Sequence, residues 1–153
     1  MKVLPVYVAF VLLACSAKNS DENKPLQNHS EKDSRSETVS RKFRGTFSNG
    51  MKGDSIFFNI SQDGKRLENL TFKGYWRCNG RLESMLAGPD GSFPIENNRV
   101  SGNITEPPDG GSTAWWFELE ADLKGSSASG NFRMAINNMG CDTYKLKWTA
   151  SAY

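Results

Sequence analysis

Five stretches of this chain carry an apolar residue at every second position, and that period decides what the chain can fold into. Ile56, Phe58 and Ile60 share one side of DSIFFNIS, and Leu70, Phe72, Gly74, Trp76 and Cys78 share one side of NLTFKGYWRC. In WWFELEADL the series is Trp115, Phe117, Leu119, Ala121 and Leu123. In GNFRMAI it is Phe132, Met134 and Ile136, and in TYKLKWTA it is Tyr144, Leu146, Trp148 and Ala150. Successive side chains of a strand point to opposite faces, so each stretch reads as a strand with one buried face. No segment carries an apolar stripe at helical spacing. Asp63-Gly64, Pro89-Asp90-Gly91, the run from Pro107 to Gly111, and Gly125 with its serines punctuate the strands as turns. Asp63-Gly64 is the clearest hairpin turn, because both central positions of a tight turn want residues that tolerate positive φ. The pattern predicts an all-β fold over residues 43–153. The architecture expected is a single antiparallel β-sandwich, jelly-roll or immunoglobulin-like, of about seven or eight strands.

The N-terminus has a different grammar. Met1 and Lys2 form a short positive head, and Val3 to Ala14 follow as an apolar run mildly broken by Pro5. A membrane span needs roughly 20 apolar residues, so this run is too short, whereas a secretory signal peptide's apolar region is about 7–15 residues. Leu12-Leu13-Ala14-Cys15 resembles the bacterial lipoprotein box, with an aliphatic residue three before the cysteine and a small residue just before it. The resemblance implies cleavage before Cys15, leaving residues 1–14 as signal peptide and Cys15 as a lipidated N-terminus. Two or more acyl chains anchor stably, where one binds only marginally. Ser16 in place of Asp implies sorting to the outer membrane, by resemblance to diderm lipoproteins. An ordinary secretory peptide cut after Ala17 is the alternative, which would make the protein a secreted one. An uncleaved helix is a third reading.

A lipidated Cys15 leaves Cys78 and Cys141, and two cysteines in an oxidising compartment are expected to pair. The bridge would close a loop of about 60 residues, worth on the order of 4 kcal/mol in the chain-entropy model. Zinc would need further ligands, and the only histidine, His29, lies elsewhere.

Residues 15–42 mix charges of both signs with Ser and Asn and hold few aliphatic side chains. Such a segment cannot bury enough apolar surface to offset its ordering entropy, so a disordered tether of roughly 30 Å is expected. From Phe43 to Tyr153 basic and acidic side chains are equal in number. Nucleic-acid binding, which needs a basic footprint, is not expected.

DGKRLENLTFKGYWRC, then Phe93 to Ile95, then SASGNFR and GCDTYKLKWTA, together resemble a domain type scattered through secreted bacterial proteins. There a DGK hairpin precedes a strand ending in cysteine, and a second cysteine precedes a closing Trp-Thr-Ala strand. The resemblance spans residues 54 to 150 and implies an exported β-sandwich whose two cysteines match Cys78 and Cys141. It implies no particular activity.

Three groups of side chains could bear chemistry. Glu118, Glu120 and Asp122 alternate along one strand face, and paired carboxylates are the apparatus of glycosidases. The bland alternative is a solvated face opposite Lys145 and Lys147. Asp90, Asp109 and Asp142 sit in glycine-containing loops but match no calcium-loop pattern. Ser126, Ser127 and Ser129 cannot form a Ser-His-Asp set without a domain histidine. The third group is Phe57, Tyr75 and Trp116, aromatics on the outward parity of their strands, with Arg77 on the same face as Tyr75. Outward aromatics on a one-sided sheet can form a platform for sugar rings or a protein partner. The expectation is therefore a non-enzymatic, cofactor-free binding or adhesion domain. It would be anchored to the cell envelope through Cys15 and present Phe57, Tyr75, Arg77 and Trp116 to a glycan or an envelope or host protein. A small carbohydrate-active enzyme and an accessory envelope subunit are the alternatives.

Overall fold

The computed structural model describes residues 40–153. Ten strands follow in chain order: β1 (Arg41–Phe47), β2 (Ser55–Ile60), β3 (Arg66–Cys78), β4 (Arg81–Ala87), β5 (Phe93–Pro94), β6 (Arg99–Glu106), β7 (Trp115–Lys124), β8 (Ser127–Ile136), β9 (Cys141–Asp142) and β10 (Leu146–Ala152). One 3-10 turn, Asn137–Met139, joins β8 to β9. The signal peptide, Cys15 and the tether up to residue 39 lie outside the described residues. The first strand begins at Arg41, so Arg41 and Lys42 belong to the sheet rather than to the tether.

All strand pairings are antiparallel, as the alternation predicts. The all-β expectation holds, but the strands are not clearly divided into the two sheets of a sandwich. The ten strands belong to one sheet, and β10, β1, β2, β3, β9 and β8 close a six-membered ring, because β8 pairs back to β10. β7 and β6 extend the sheet from β8, while β4 and β5 lie along β3. The long β3 makes the closure. It has 13 residues. β2 covers it from Leu67 to Lys73, and β9 takes over at Arg77 and Cys78. β4 shares partners with both of them, so β2 and β9 lie along the same edge of β3, opposite β4.

Closing a sheet requires tight curvature, which glycines on the concave face permit. Gly45 lies between inward Phe43 and Phe47, and a Cβ there would overlap the Thr149 carbonyl. Gly130, between Ala128 and Phe132, would likewise overlap the Glu120 carbonyl.

Inside, the predicted faces hold. Ile56, Phe58, Ile60, Leu70, Phe72, Trp76, Cys78, Phe117, Leu119, Phe132, Met134, Ile136 and Trp148 are buried. Phe43, Phe47, Leu67, Phe93 and Val100 complete the core. Each such aliphatic or Phe side chain contributes about 1.5–3 kcal/mol on burial. Rings fill the interior in contact with one another: Phe43 on Phe58 at 5.0 Å, Phe72 on Phe132 at 5.5 Å, Trp76 on Trp115 at 5.3 Å. Leu67 and Leu70 both face inward because β3 slips register beside Asn69, which has positive φ.

Tyr144 departs from its predicted inward place and is 61% exposed. β9 and β10 are two parts of one strand path along β8, separated by residues 143–145. Tyr144 has φ 56° there, and this bulge turns its side chain outward. Thr143 holds the bulge, its hydroxyl accepting the Met134 N–H at 2.9 Å. The Asp63-Gly64 hairpin also differs in detail. It joins β2 to β3, yet only Gly64 has positive φ, and the loop spans residues 61–65.

Cys78 and Cys141 form the expected disulfide, 63 residues apart in sequence. It sits at one end of the ring, together with the Asn79-Gly80 turn and Trp115. The opposite end carries the start of β1, the end of β10 and the β7–β8 turn, as the pairings Arg41 with Ile60, Phe43 with Ala152 and Lys124 with Ser127 place them.

Candidate functional site

The outer face of the disulfide end carries one continuous rung across six strands. Thr105 pairs with Trp116, Trp116 with Ala135, Ala135 with Asp142, Asp142 with Arg77, and Arg77 with Leu82. Two of the residues singled out from the sequence, Trp116 and Arg77, therefore lie on one line, about 14 Å apart at three strand spacings. Tyr75 stands next to Arg77 on the same face of β3 and is 42% exposed. Phe57 does not join them. It pairs with Thr71, four residues back along β3 from Tyr75 or about 13 Å, and lies half-buried under the Arg44 guanidinium.

Trp116 is held from above. The Arg133 guanidinium lies 5.3 Å from its ring centre, in cation–π range. Arg133 is itself fixed by Asp142, with Nε donating at 3.0 and 3.2 Å and Nη2 at 2.6 Å to the two carboxylate oxygens. The pair is bidentate and charge-assisted. Asp142, beside Arg133, holds the guanidinium even more firmly protonated than usual. Asp142 also accepts the Tyr144 backbone N–H at 2.7 Å, so the bulge that exposes Tyr144 is tied to the same carboxylate. Ala135, beneath this cluster, is buried although it points outward. Arg77 has no ion pair among the described residues, leaving its donors free beside the fixed Arg133–Asp142 pair.

Arg133 and Tyr144 were not among the candidates read from the sequence, and Asp142 was considered there only as a loop carboxylate. Arg133 was readable, since it lies on the outward parity between Phe132 and Met134. Asp142 follows from the disulfide, because an in-register Cys78–Cys141 pair sets its neighbour opposite Arg77.

The strand carboxylates are engaged with cations. Lys145 Nζ lies 3.8 Å from Glu118 and 3.2 Å from Glu120. Asn131 donates to Glu120 at 2.7 Å, and this bond, followed by Lys145, holds the Glu120 carboxyl below the usual glutamate range. Asp122 pairs with Arg99 at 3.0 Å, and Lys147 stands opposite Asn131 rather than a carboxylate. A glycosidase acid needs a carboxyl pushed upward, and Glu120 is moved the other way. Among the described residues no group of three His, Cys, Asp or Glu side chains could hold a metal ion. What the rung offers is a fixed aromatic edge, an exposed phenol at each of Tyr75 and Tyr144, and an unpaired guanidinium. That chemistry is stacking and hydrogen bonding.

Comparison of the chain with models of known protein families, with curated proteins and with solved structures gave no match.

Proposed function

We propose that this chain is a non-enzymatic binding protein of the bacterial cell envelope. Acylated Cys15, within the Leu12–Cys15 lipoprotein box, would hold it to a membrane, and Ser16 favours the outer one. The outer face around Trp116, Arg77, Tyr75 and Tyr144 would take a glycan or protein ligand.

The observation that carries the reading is the Trp116–Arg133–Asp142 stack. It orders an aromatic side chain and its flanking charges before any ligand arrives, which lowers the ordering cost of binding. The face lies at the end of the ring opposite the start of β1 at Arg41.

Two measurements on the whole chain purified from its own membranes test this function. An intact mass lacking residues 1–14 and raised by acyl chains supports the anchor. A mass beginning after Ala17 without lipid removes it. Presentation of the same protein to glycan arrays and envelope extracts is expected to yield a saturable ligand, and its absence from both counts against a binding role.

A further inference from the structure

We propose that Asn79 is a self-modifying site, at which the chain converts its own side-chain amide into a carboxylate, and that the fold withholds the same reaction from Asn49. The sequence has two Asn-Gly steps, Asn49-Gly50 and Asn79-Gly80. At such a step the glycine nitrogen and the asparagine side-chain carbonyl carbon are a nucleophile and an electrophile one five-membered ring apart, so the reaction is intramolecular. Glycine leaves that nitrogen unhindered, because it has no Cβ.

The two steps stand in opposite surroundings. Asn49 is half-buried, and both ends of its amide are held: Nδ2 donates to Asp54 at 2.7 Å, and Oδ1 accepts the Met51 N–H at 3.1 Å. Asp54 is itself buried. Turning the Asn49 amide toward Gly50 breaks both bonds. Asn79 is exposed, and its amide makes no hydrogen bond among the described residues. With Gly80 it forms the tip of the two-residue hairpin between β3 and β4, where Cys78 pairs with Arg81. The flanking residues of such a hairpin take the ladder hydrogen bonds, so the Gly80 nitrogen is left out of them. A Cβ at Gly80 would meet nothing within 4 Å, so the tip stands clear of the rest of the protein. Asn79 sits at φ 49°, outside the regions most residues favour, and the first four residues of β4 are exposed. The tip can therefore open locally without unfolding the ring.

The reaction balances with water as the only co-reactant. The Gly80 nitrogen, its proton lost to hydroxide, bonds to the side-chain carbonyl carbon of Asn79. The carbon–nitrogen bond of the carboxamide breaks, and its nitrogen leaves as ammonia with a proton from water. The cyclic imide then takes up one water at either carbonyl and opens to aspartate or isoaspartate at position 79. Isoaspartate runs the main chain through the former side chain and lengthens the turn by one methylene, next to the Cys78–Cys141 bridge. Either product puts a negative charge between Arg77 and Arg81, neither of which has an ion pair among the described residues. In the binding face proposed above, that carboxylate competes with a ligand for Arg77. This consequence rests on the proposed function, and the reaction itself does not.

Peptide mapping by mass spectrometry reads the outcome on the whole chain kept in mildly alkaline buffer, native and, in parallel, unfolded in guanidinium chloride. In the unfolded chain both steps should convert at similar rates, since only the local sequence acts there. In the native chain position 79 should exchange the mass of an amide for that of an acid, with isoaspartate resolved as a second chromatographic peak. It should do so about tenfold or more faster than position 49, a margin that the hydrogen bonds holding Asn49 supply. Asn79 still intact in the native chain once the unfolded chain has converted fully overturns the proposal. So does native conversion at Asn49 as fast as at Asn79. None of these outcomes depends on Trp116 or its ligand.

Discussion

Cys78 and Cys141 face each other directly across β3 and β9, and Arg77 with Asp142 is the other residue pair that joins those strands. The ring is therefore closed by a seam of two residue pairs and one covalent bond. β1 and β2, by contrast, are joined along six registered pairs. The disulfide lies where the non-covalent closure is shortest, and it borders the candidate site.

Reduction, or Cys78→Ala with Cys141→Ala, should lower unfolding free energy by about 2–4 kcal/mol. Hydrogen exchange should locate the loss. Faster exchange is expected first at Arg77, Cys78, Cys141 and Asp142, with the β1–β2 pairing protected until global unfolding. A uniform rise across all strands would contradict the seam.

Gly130→Ala tests the curvature. The added Cβ meets the Glu120 carbonyl on the neighbouring strand, where backbone must move. A loss of about 2 kcal/mol or more is expected by thermal or chemical unfolding. Gly125→Ala adds a methyl in open space and carries only the strain of its positive φ, 61°. It should cost less.

At Tyr144 the proposed binding face would oppose stability. A non-glycine residue at φ 56° carries backbone strain of about 1–2 kcal/mol. Tyr144→Gly relieves it and should raise the melting temperature, while removing an exposed phenol from the site and weakening ligand binding. An unchanged affinity would take Tyr144 out of the binding face.

Acid should weaken the outer sheet in a defined window. The Glu120 carboxyl is held below the usual glutamate range by Asn131 and then by Lys145, so its folded value lies under its unfolded one. Its stabilisation is complete above the unfolded value and disappears as pH falls through the folded one. Asp63 behaves in the same sense, lowered by the Ser61 hydroxyl and the Lys65 N–H. Glu120→Gln should flatten part of the fall in stability below the usual carboxylate range and leave the neutral-pH slope alone. An unchanged acid limb would contradict the assignment.

Much of this architecture was legible in alternation alone, because a one-sided wall writes its burial into the chain. Phe58, Phe72, Phe117 and Trp148 all face where their parity put them. The strand β4 left no such mark, since its first four residues are exposed and no apolar contrast separates its faces. Its Asn79-Gly80 turn is a hairpin signal that the reading of the sequence did not use. Tyr144 was misplaced because a bulge shifts parity by one residue, and nothing in TYKLKWTA announces the bulge. Ring closure was hidden for another reason. It rests on a long-range pairing of two residue pairs, and alternation says which face is inner but not which edges meet. At the site, Trp116, Arg77 and Tyr75 came from parity, whereas Phe57 shares their parity but lies on another part of the outer surface.

The most direct measurement compares ligand affinity of the wild-type chain with Trp116→Ala and Phe57→Ala, using the first ligand that arrays or extracts yield. The binding face described here predicts that Trp116→Ala weakens binding about tenfold or more, as removal of a central aromatic anchor does, while Phe57→Ala leaves it unchanged. Equal affinities for all three proteins, with each still folded, would contradict a binding surface centred on Trp116.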